Sequence, residues 1–253
     1  VLPDGRDYEL GRRLLLGEVN AAIAGARDAG ADEIVVNDSH HKMANLDPEL
    51  LESPASYISG RHKPLYMMEG LDRSFDAAFF IAYHGAIDGP PAVLSHTYNP
   101  AAIAGATLNG TLTGESGINA LVASAFEVPI VLITGDEVTA DQAEPFIPKA
   151  ERLAVKTSIS RSAAHSLHPH EARTQIREAA TRALERVSDI GPPDIDRPTR
   201  LELTFLNPDF ADLAEGLPAV RRAGLRTITL ENDDLLQLYK DFVTLINLTR
   251  SLA

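Results

Sequence analysis

The stretch Glu33-Ile34-Val35-Val36-Asn37-Asp38-Ser39-His40-His41 decides how the rest of the chain is read. A β-branched run makes Glu33–Val36 a short buried strand. It breaks into Asn37, Asp38 and Ser39, residues that favour turns and side-chain bonds to nearby backbone. His40 and His41 therefore stand just past the carboxyl end of a strand, the edge where open α/β sheets build ligand sites.

Upstream, Tyr8, Leu15, Val19, Ala22, Ile23 and Ala26 recur at helical spacing between Asp7 and Asp28, and Gly30 supplies the stop. Helix followed at once by strand is the grammar of α/β folds. Downstream, Ser56–Ser59 is a second strand, Glu69-Gly70-Leu71-Asp72 a turn or short helix, and Ala77–Tyr83 a continuous apolar run expected as a buried central strand. That run ends in His84-Gly85 and so repeats the pattern of the first. Gly89-Pro90-Pro91 is a loop, followed by Val93-Leu94-Ser95-His96-Thr97. Asn109-Gly110 between Ile103–Leu108 and Leu112–Thr113 marks a hairpin.

A helix is expected from Glu115 to about Ala125, a strand at Pro129–Thr134, a short helix at Asp141–Phe146, a strand at Leu153–Ile159 and an amphipathic helix at His170–Val187. Gly191-Pro192-Pro193 through Pro198 is the linker candidate. Leu201–Leu206 then reads as a strand and Leu235–Leu252 as a terminal helix. The expectation is an α/β three-layer sandwich around a mostly parallel or mixed sheet, residues 1–194, with a smaller α+β lobe over 195–253.

The composition narrows the function. The 253 residues are 44% hydrophobic and 23% charged, an ordinary globular balance, and contain no cysteine. Any metal must then be held by His, Asp and Glu. A net charge of −13 argues against nucleic acid, which needs clustered Lys and Arg. No stretch approaches the roughly 18 apolar residues of a membrane span, and no signal segment opens the sequence. Cytoplasm is the default compartment.

Three strand ends or their loops deliver His40, His84 and His96, and Glu115 adds a carboxylate at a helix start. Metal hydrolases need imidazoles and carboxylates converging on one point with room left for water. Taken singly, a histidine after a strand is more often a hydrogen-bonded structural residue, and a glutamate at a helix start is favoured by the dipole. The coincidence of three histidines is what raises a metal site. Asp38 and Asp136 lie on strand-end loops and are candidates to orient an imidazole. His165, His168 and His170 precede a surface helix and read as solvated. Gly114-Glu115-Ser116-Gly117 lacks a residue for the nucleophile elbow of serine hydrolases. Lys156 and Ser158 would project from the same face of one strand, which leaves Lys156 and Arg161 to hold structure or an anion. No phosphate-cradling glycine spacing is present.

Taken together, Val36-Asn37-Asp38-Ser39-His40, Ile58-Ser59-Gly60, Lys63-Pro64, Met68-Glu69-Gly70-Leu71-Asp72, Tyr83-His84, Ser95-His96, Gly114-Glu115 with Gly117 and Asn119-Ala120, and Val155-Lys156 through Ile159-Ser160-Arg161-Ser162-Ala163 resemble the zinc-dependent D-aminopeptidases of the dipeptide-transport type. The resemblance is dense from about residue 5 to 165 and looser beyond. It implies an α/β subunit of a ring-shaped homodecamer, two zinc ions per site, and removal of an N-terminal D-amino acid such as D-alanine from short peptides. It makes His40, His84 and Glu115 the metal ligands and His96 the catalytic nucleophile or base. Asn119 is a further candidate for binding substrate, and the peptide's carboxylate would need a cation such as Lys156 or Arg161.

The family opens with a strand ending in Asp-x-Glu-Gly whose carboxylates bind the metals. Nothing between Val1 and the first match reads so, and the expectation is that this strand lies upstream of Val1; a crippled site is the alternative. Two other readings stay open: a different metal-dependent amidohydrolase using the same ligands, and a non-catalytic oligomeric peptide-binding protein that has lost its metals.

Overall fold

The structure, a computed structural model, describes residues 5–252. Helix α1 (Tyr8–Asp28) lies along α4 (Pro169–Glu185), and together they cover one face of a four-stranded sheet. That sheet has the order β3 (Ala78–Phe80), β6 (Ile130–Asp136), β7 (Glu151–Ser160), β8 (Ala163–Ser166). The first three run parallel and β8 turns back antiparallel. All seven residues of β6 are buried, as a strand covered on both faces must be. Val131 and Leu132 meet Ala179, Ala180 and Ala183 of α4, whereas Ile130 and Ile133 join a larger core on the opposite face.

That larger core is filled by α2 (Glu115–Phe126) and α7 (Leu235–Thr249), buried among apolar side chains, which complete the expected α/β sandwich. A five-stranded antiparallel sheet closes the same core. Its order is β10 (Val220–Arg222), β11 (Thr227–Asn232), β9 (Thr199–Phe205), β4 (Ile103–Leu108), β5 (Thr111–Leu112). Because β4 pairs with β9, this sheet crosses the boundary expected near residue 195. Leu201, Leu203 and Phe205 are fully buried in one core with Ile103 and Leu108. Among the described residues the first strand, β1 (Ile34–Asn37), pairs in parallel only with β2 (Ala55–Ile58), as a separate two-stranded sheet.

Several boundaries move for local reasons. The apolar run 77–83 yields a strand of three residues, because Ala82 adopts a left-handed φ of 59° and gives its N–H to Thr134 Oγ1 rather than to a ladder. The short helix is α3 (Glu137–Ala143), earlier than expected, because Asp136 caps it by accepting from Thr139 N at 2.8 Å. Asn109 and Gly110 both have positive φ, 49° and 80°, as a two-residue hairpin turn requires. The sequence expectations did not include β8, β10, β11, the single turn α5 (Val187–Ile190) or helix α6 (Pro208–Ala214), although Thr227–Leu230 alternates as a half-buried strand does and Asn207-Pro208 is a helix-start signal. Among the described residues no helix is long and apolar enough to cross a membrane.

Candidate metal centre

His84 follows β3 by four residues, His96 lies on the irregular loop before β4, and Glu115 is the first residue of α2. A carboxylate there faces the positive end of the helix dipole. Glu115 is 6% exposed at its side chain, His84 17% and His96 22%. Glu115 Oε2 lies 3.2 Å from His84 Nε2, and its Oε1 3.5 Å from His96 Nε2. One ligand atom from each residue falls within 4.8 Å of the others. The two imidazoles are stacked, with centroids 3.8 Å apart and planes 19° from parallel.

The backbone fixes which nitrogen faces inward. His84 Nδ1 meets Gly85 O at 3.1 Å and His96 Nδ1 meets Leu94 O at 2.7 Å. A carbonyl only accepts, so each Nδ1 carries the proton and each Nε2 is turned on the carboxylate. Two imidazole lone pairs facing a buried carboxylate repel unless a proton or a cation stands between them. A divalent ion held by Glu115 and the His84 imidazole relieves that repulsion and leaves the His96 Nε2 beside it to carry a proton; imidazole and carboxylate donors suit zinc. The backbone N–H of Tyr98 donates to Glu115 Oε1 at 2.8 Å and fixes the carboxylate's other lone pair.

Burial opposes the charge on Glu115, but His84, His96 and the Tyr98 N–H outweigh it and hold its carboxyl at about 2. Burial alone would lower His84; Glu115 and the Gly85 carbonyl reverse this and raise it above its usual value. His96 is lowered, chiefly by burial and further by the neighbouring His84 and His40, against the pull of Glu115. The flanking backbone is strained: Ala82, Leu94 and Tyr98 all have left-handed φ, at 59°, 56° and 56°. Such conformations at non-glycine residues persist only where the surroundings impose them, and they gather at functional sites.

The remaining candidates occupy different places. His40 stands outside the group of three, with its ring 6.2 Å from that of His41, and its charge reaches His96. Asp38 is buried and accepts from the backbone N–H of Asn45 and Leu46 and from Asn45 Nδ2; Asn45 in turn donates to His40 O at 2.7 Å. Through Asn45, Asp38 thus sets the backbone of the loop that carries His40. Asp136 accepts from Val93 N at 2.8 Å, Ser158 Oγ at 2.6 Å and Thr139, so it anchors the loop that carries His96 and acts on His84 only through its charge.

Arg161 donates from Nε to Ser95 O at 2.9 Å, and its own carbonyl accepts from Leu94 N. Lys156 lies close enough to Glu18 of α1 to act on its carboxyl. Asn119, expected at the substrate, is fully buried: Nδ2 donates to Tyr83 OH at 2.9 Å and Oδ1 accepts from Tyr98 OH at 2.6 Å. His165, His168 and His170 are exposed, as the composition of their surroundings implied. Sequence reasoning missed Tyr83 and Tyr98; their signal was adjacency, Tyr83 next to His84 and Tyr98 two residues past His96.

The sequence profile of a family described as D-aminopeptidase matches residues 1–244. The chain belongs to this family. It is 38% identical over 250 residues to a D-aminopeptidase of Bacillus subtilis strain 168, covering 96% of this chain and 88% of that protein. Its fold matches the solved structure of the Zn-dependent D-aminopeptidase DppA from Bacillus subtilis, described as a self-compartmentalizing protease. The TM-score is 0.91 at 35% identity, covering 97% of this chain and 89% of the other.

Proposed function

We propose that this chain is a zinc-dependent aminopeptidase that releases N-terminal D-amino acids, D-alanine among them, from short peptides. The observation that carries the reading is the convergence of His84 Nε2, His96 Nε2 and Glu115 on one point, in a chain of the D-aminopeptidase family.

His84 and Glu115 would hold the metal, and His40, whose charge reaches His96, is the proposed ligand for a second ion. When bound, zinc supplies polarisation of the scissile carbonyl and a water of lowered pKa. His96 handles the proton: its Nδ1–H is fixed on Leu94 O, which leaves Nε2 to accept from the nucleophile and return the proton to the leaving amine. Arg161, at the turn that clamps the His96 loop, is the cation offered to the peptide's carboxylate; Lys156 of β7, which reaches Glu18 of α1, is the second candidate. We further propose a homo-oligomer, which the self-compartmentalizing relative supports, with the decamer of the family resemblance as its size.

The test is amino acid release by the zinc-loaded protein from D-alanyl and L-alanyl dipeptides and from an N-acylated counterpart. Release of D-alanine that stops on chelation and returns with zinc supports the proposal. Turnover confined to the acylated substrate would replace it with an N-deacylase, and zinc-independent binding without turnover with a peptide-binding protein. Light scattering on the same sample reads the number of subunits.

A further inference from the structure

Asn119 lies four residues after Glu115 on α2, hence on the same face of the helix and one turn along it. Its side chain is sealed from solvent, and both ends of the amide are engaged. Nδ2 donates to the hydroxyl of Tyr83, the residue immediately before His84. Oδ1 accepts from the hydroxyl of Tyr98, which lies two residues after His96 and whose own N–H is bonded to Glu115. Tyr239 of α7 adds a third hydroxyl, 3.3 Å from the same Oδ1 and 3.1 Å from that of Tyr98, and is itself tied to Leu65 O at 3.0 Å. One amide therefore reaches both loops that carry the imidazoles, from the helix that carries the carboxylate.

The two tyrosines also mark where the loops are strained. Tyr98 is itself left-handed, and Tyr83 follows the left-handed Ala82. Relaxing either residue would turn the neighbouring histidine away from its carbonyl contact, its stacked partner ring and its place against Glu115.

We infer that Asn119 is a positioning residue of the metal centre: its amide clamps the His84 and His96 loops to α2 at the spacing in which their Nε2 atoms meet Glu115. This rests on the metallopeptidase reading above. The clamp touches neither substrate nor metal, and it acts through Tyr83 and Tyr98. Residues that orient metal ligands at one remove typically change metal affinity by about 10–100-fold when lost.

The experiment measures zinc affinity by chelator competition and the visible spectrum of the cobalt-substituted protein for Tyr83→Phe, Tyr98→Phe, Asn119→Leu and the Tyr83→Phe/Asn119→Leu pair. Thermal unfolding of each metal-free protein is recorded alongside. Leu245→Ala serves as the control, a fully buried α7 residue outside this network. Each single hydroxyl deletion is expected to weaken zinc several-fold, and Asn119→Leu about tenfold or more, with an altered cobalt band. Adding Tyr83→Phe to Asn119→Leu should cost nothing further, because the partner is already gone. Leu245→Ala should lower the unfolding temperature and leave zinc affinity alone.

Should Asn119→Leu fail to fold, the two hydroxyl deletions decide the matter. Zinc affinities within twofold of the parent's in both would overturn the clamp, as would losses that merely track the unfolding temperature. A parent protein that takes up no zinc overturns the metallopeptidase reading and this inference with it.

Discussion

Exchanging Glu115 for glutamine removes a single charge from a buried group of three while keeping its volume and an acceptor for Tyr98 N–H. In the metal-free protein the carboxyl is held at about 2 instead of its ordinary 4.5, a difference worth about 3 kcal/mol. Because the folded value is the lower one, this stabilisation is complete above the unfolded value of 4.5 and lost as pH falls through about 2. His84 has the opposite sign. Its value is raised by Glu115 and the Gly85 carbonyl over the opposing effect of burial, so its contribution is complete below 6.5 and lost as pH rises past its folded value. Both halves of the pair are intact between these limits, and pH 5.5 is the place to measure it.

The assay is urea unfolding of wild type and Glu115→Gln in the presence of chelator at pH 5.5 and at pH 3. At pH 5.5 the wild type should lead by about 3 kcal/mol; by pH 3 about 2 kcal/mol of that lead should be gone. The other carboxyl groups of this acidic chain titrate alike in both proteins and cancel in the comparison. An equal difference at the two pH values, or a variant more stable than wild type at pH 5.5, would refute the account of Glu115 as an anion held by two imidazoles and a backbone N–H.

Three further outcomes are expected. His96→Ala should lose turnover while zinc content, read by elemental analysis, stays at the parent's level; loss of zinc would instead make His96 a ligand. Gly25→Ala would put a methyl 2.2 Å from Arg177 O and 2.7 Å from Ala180 Cβ, forcing α1 off α4 at a cost of about 1–3 kcal/mol, seen as a lowered unfolding temperature. Asp234→Ala removes the acceptor for Leu236 N at 2.9 Å and Gln237 N at 3.1 Å at the start of α7, and should cost about 1 kcal/mol in urea unfolding.

How much of this was legible in the sequence depends on the range of the interaction. Periodicity found α1, α2, α4 and α7 because each buries one face or all of itself, and burial leaves its mark on composition. Asn109-Gly110 revealed its hairpin because the turn geometry is local. The pairing of β4 with β9 was invisible: Ile103 and Phe205 are far apart in the chain, and nothing in either strand names its partner. That pairing carries the antiparallel sheet across the Pro-rich segment at 191–198, which composition alone reads as a linker. The early end of β3 was hidden likewise, since Thr134, which captures the Ala82 N–H, is on another strand.

The candidate site divides along the same line. A histidine past a strand end is a local pattern, so His40, His84 and His96 could be singled out, but which of them share a carboxylate depends on loop conformation. His84 and His96 are brought together by backbone left-handed at Ala82 and Leu94, residues with no intrinsic preference for it, while His40 is held apart on a loop organised by Asp38 and Asn45. Asn119 makes the point most sharply. The family resemblance offered it as a candidate for binding substrate. A polar side chain that close to a reacting centre can face the substrate or brace what does, and only burial separates the two. With Tyr83 and Met67 Sδ accepting from Nδ2, Tyr98 and Tyr239 donating to Oδ1, and no exposed surface, Asn119 has nothing left to offer a peptide. What it can still govern is where the His84 and His96 imidazoles stand against Glu115, and that placement sets both how tightly the metal is held and how the proton reaches His96.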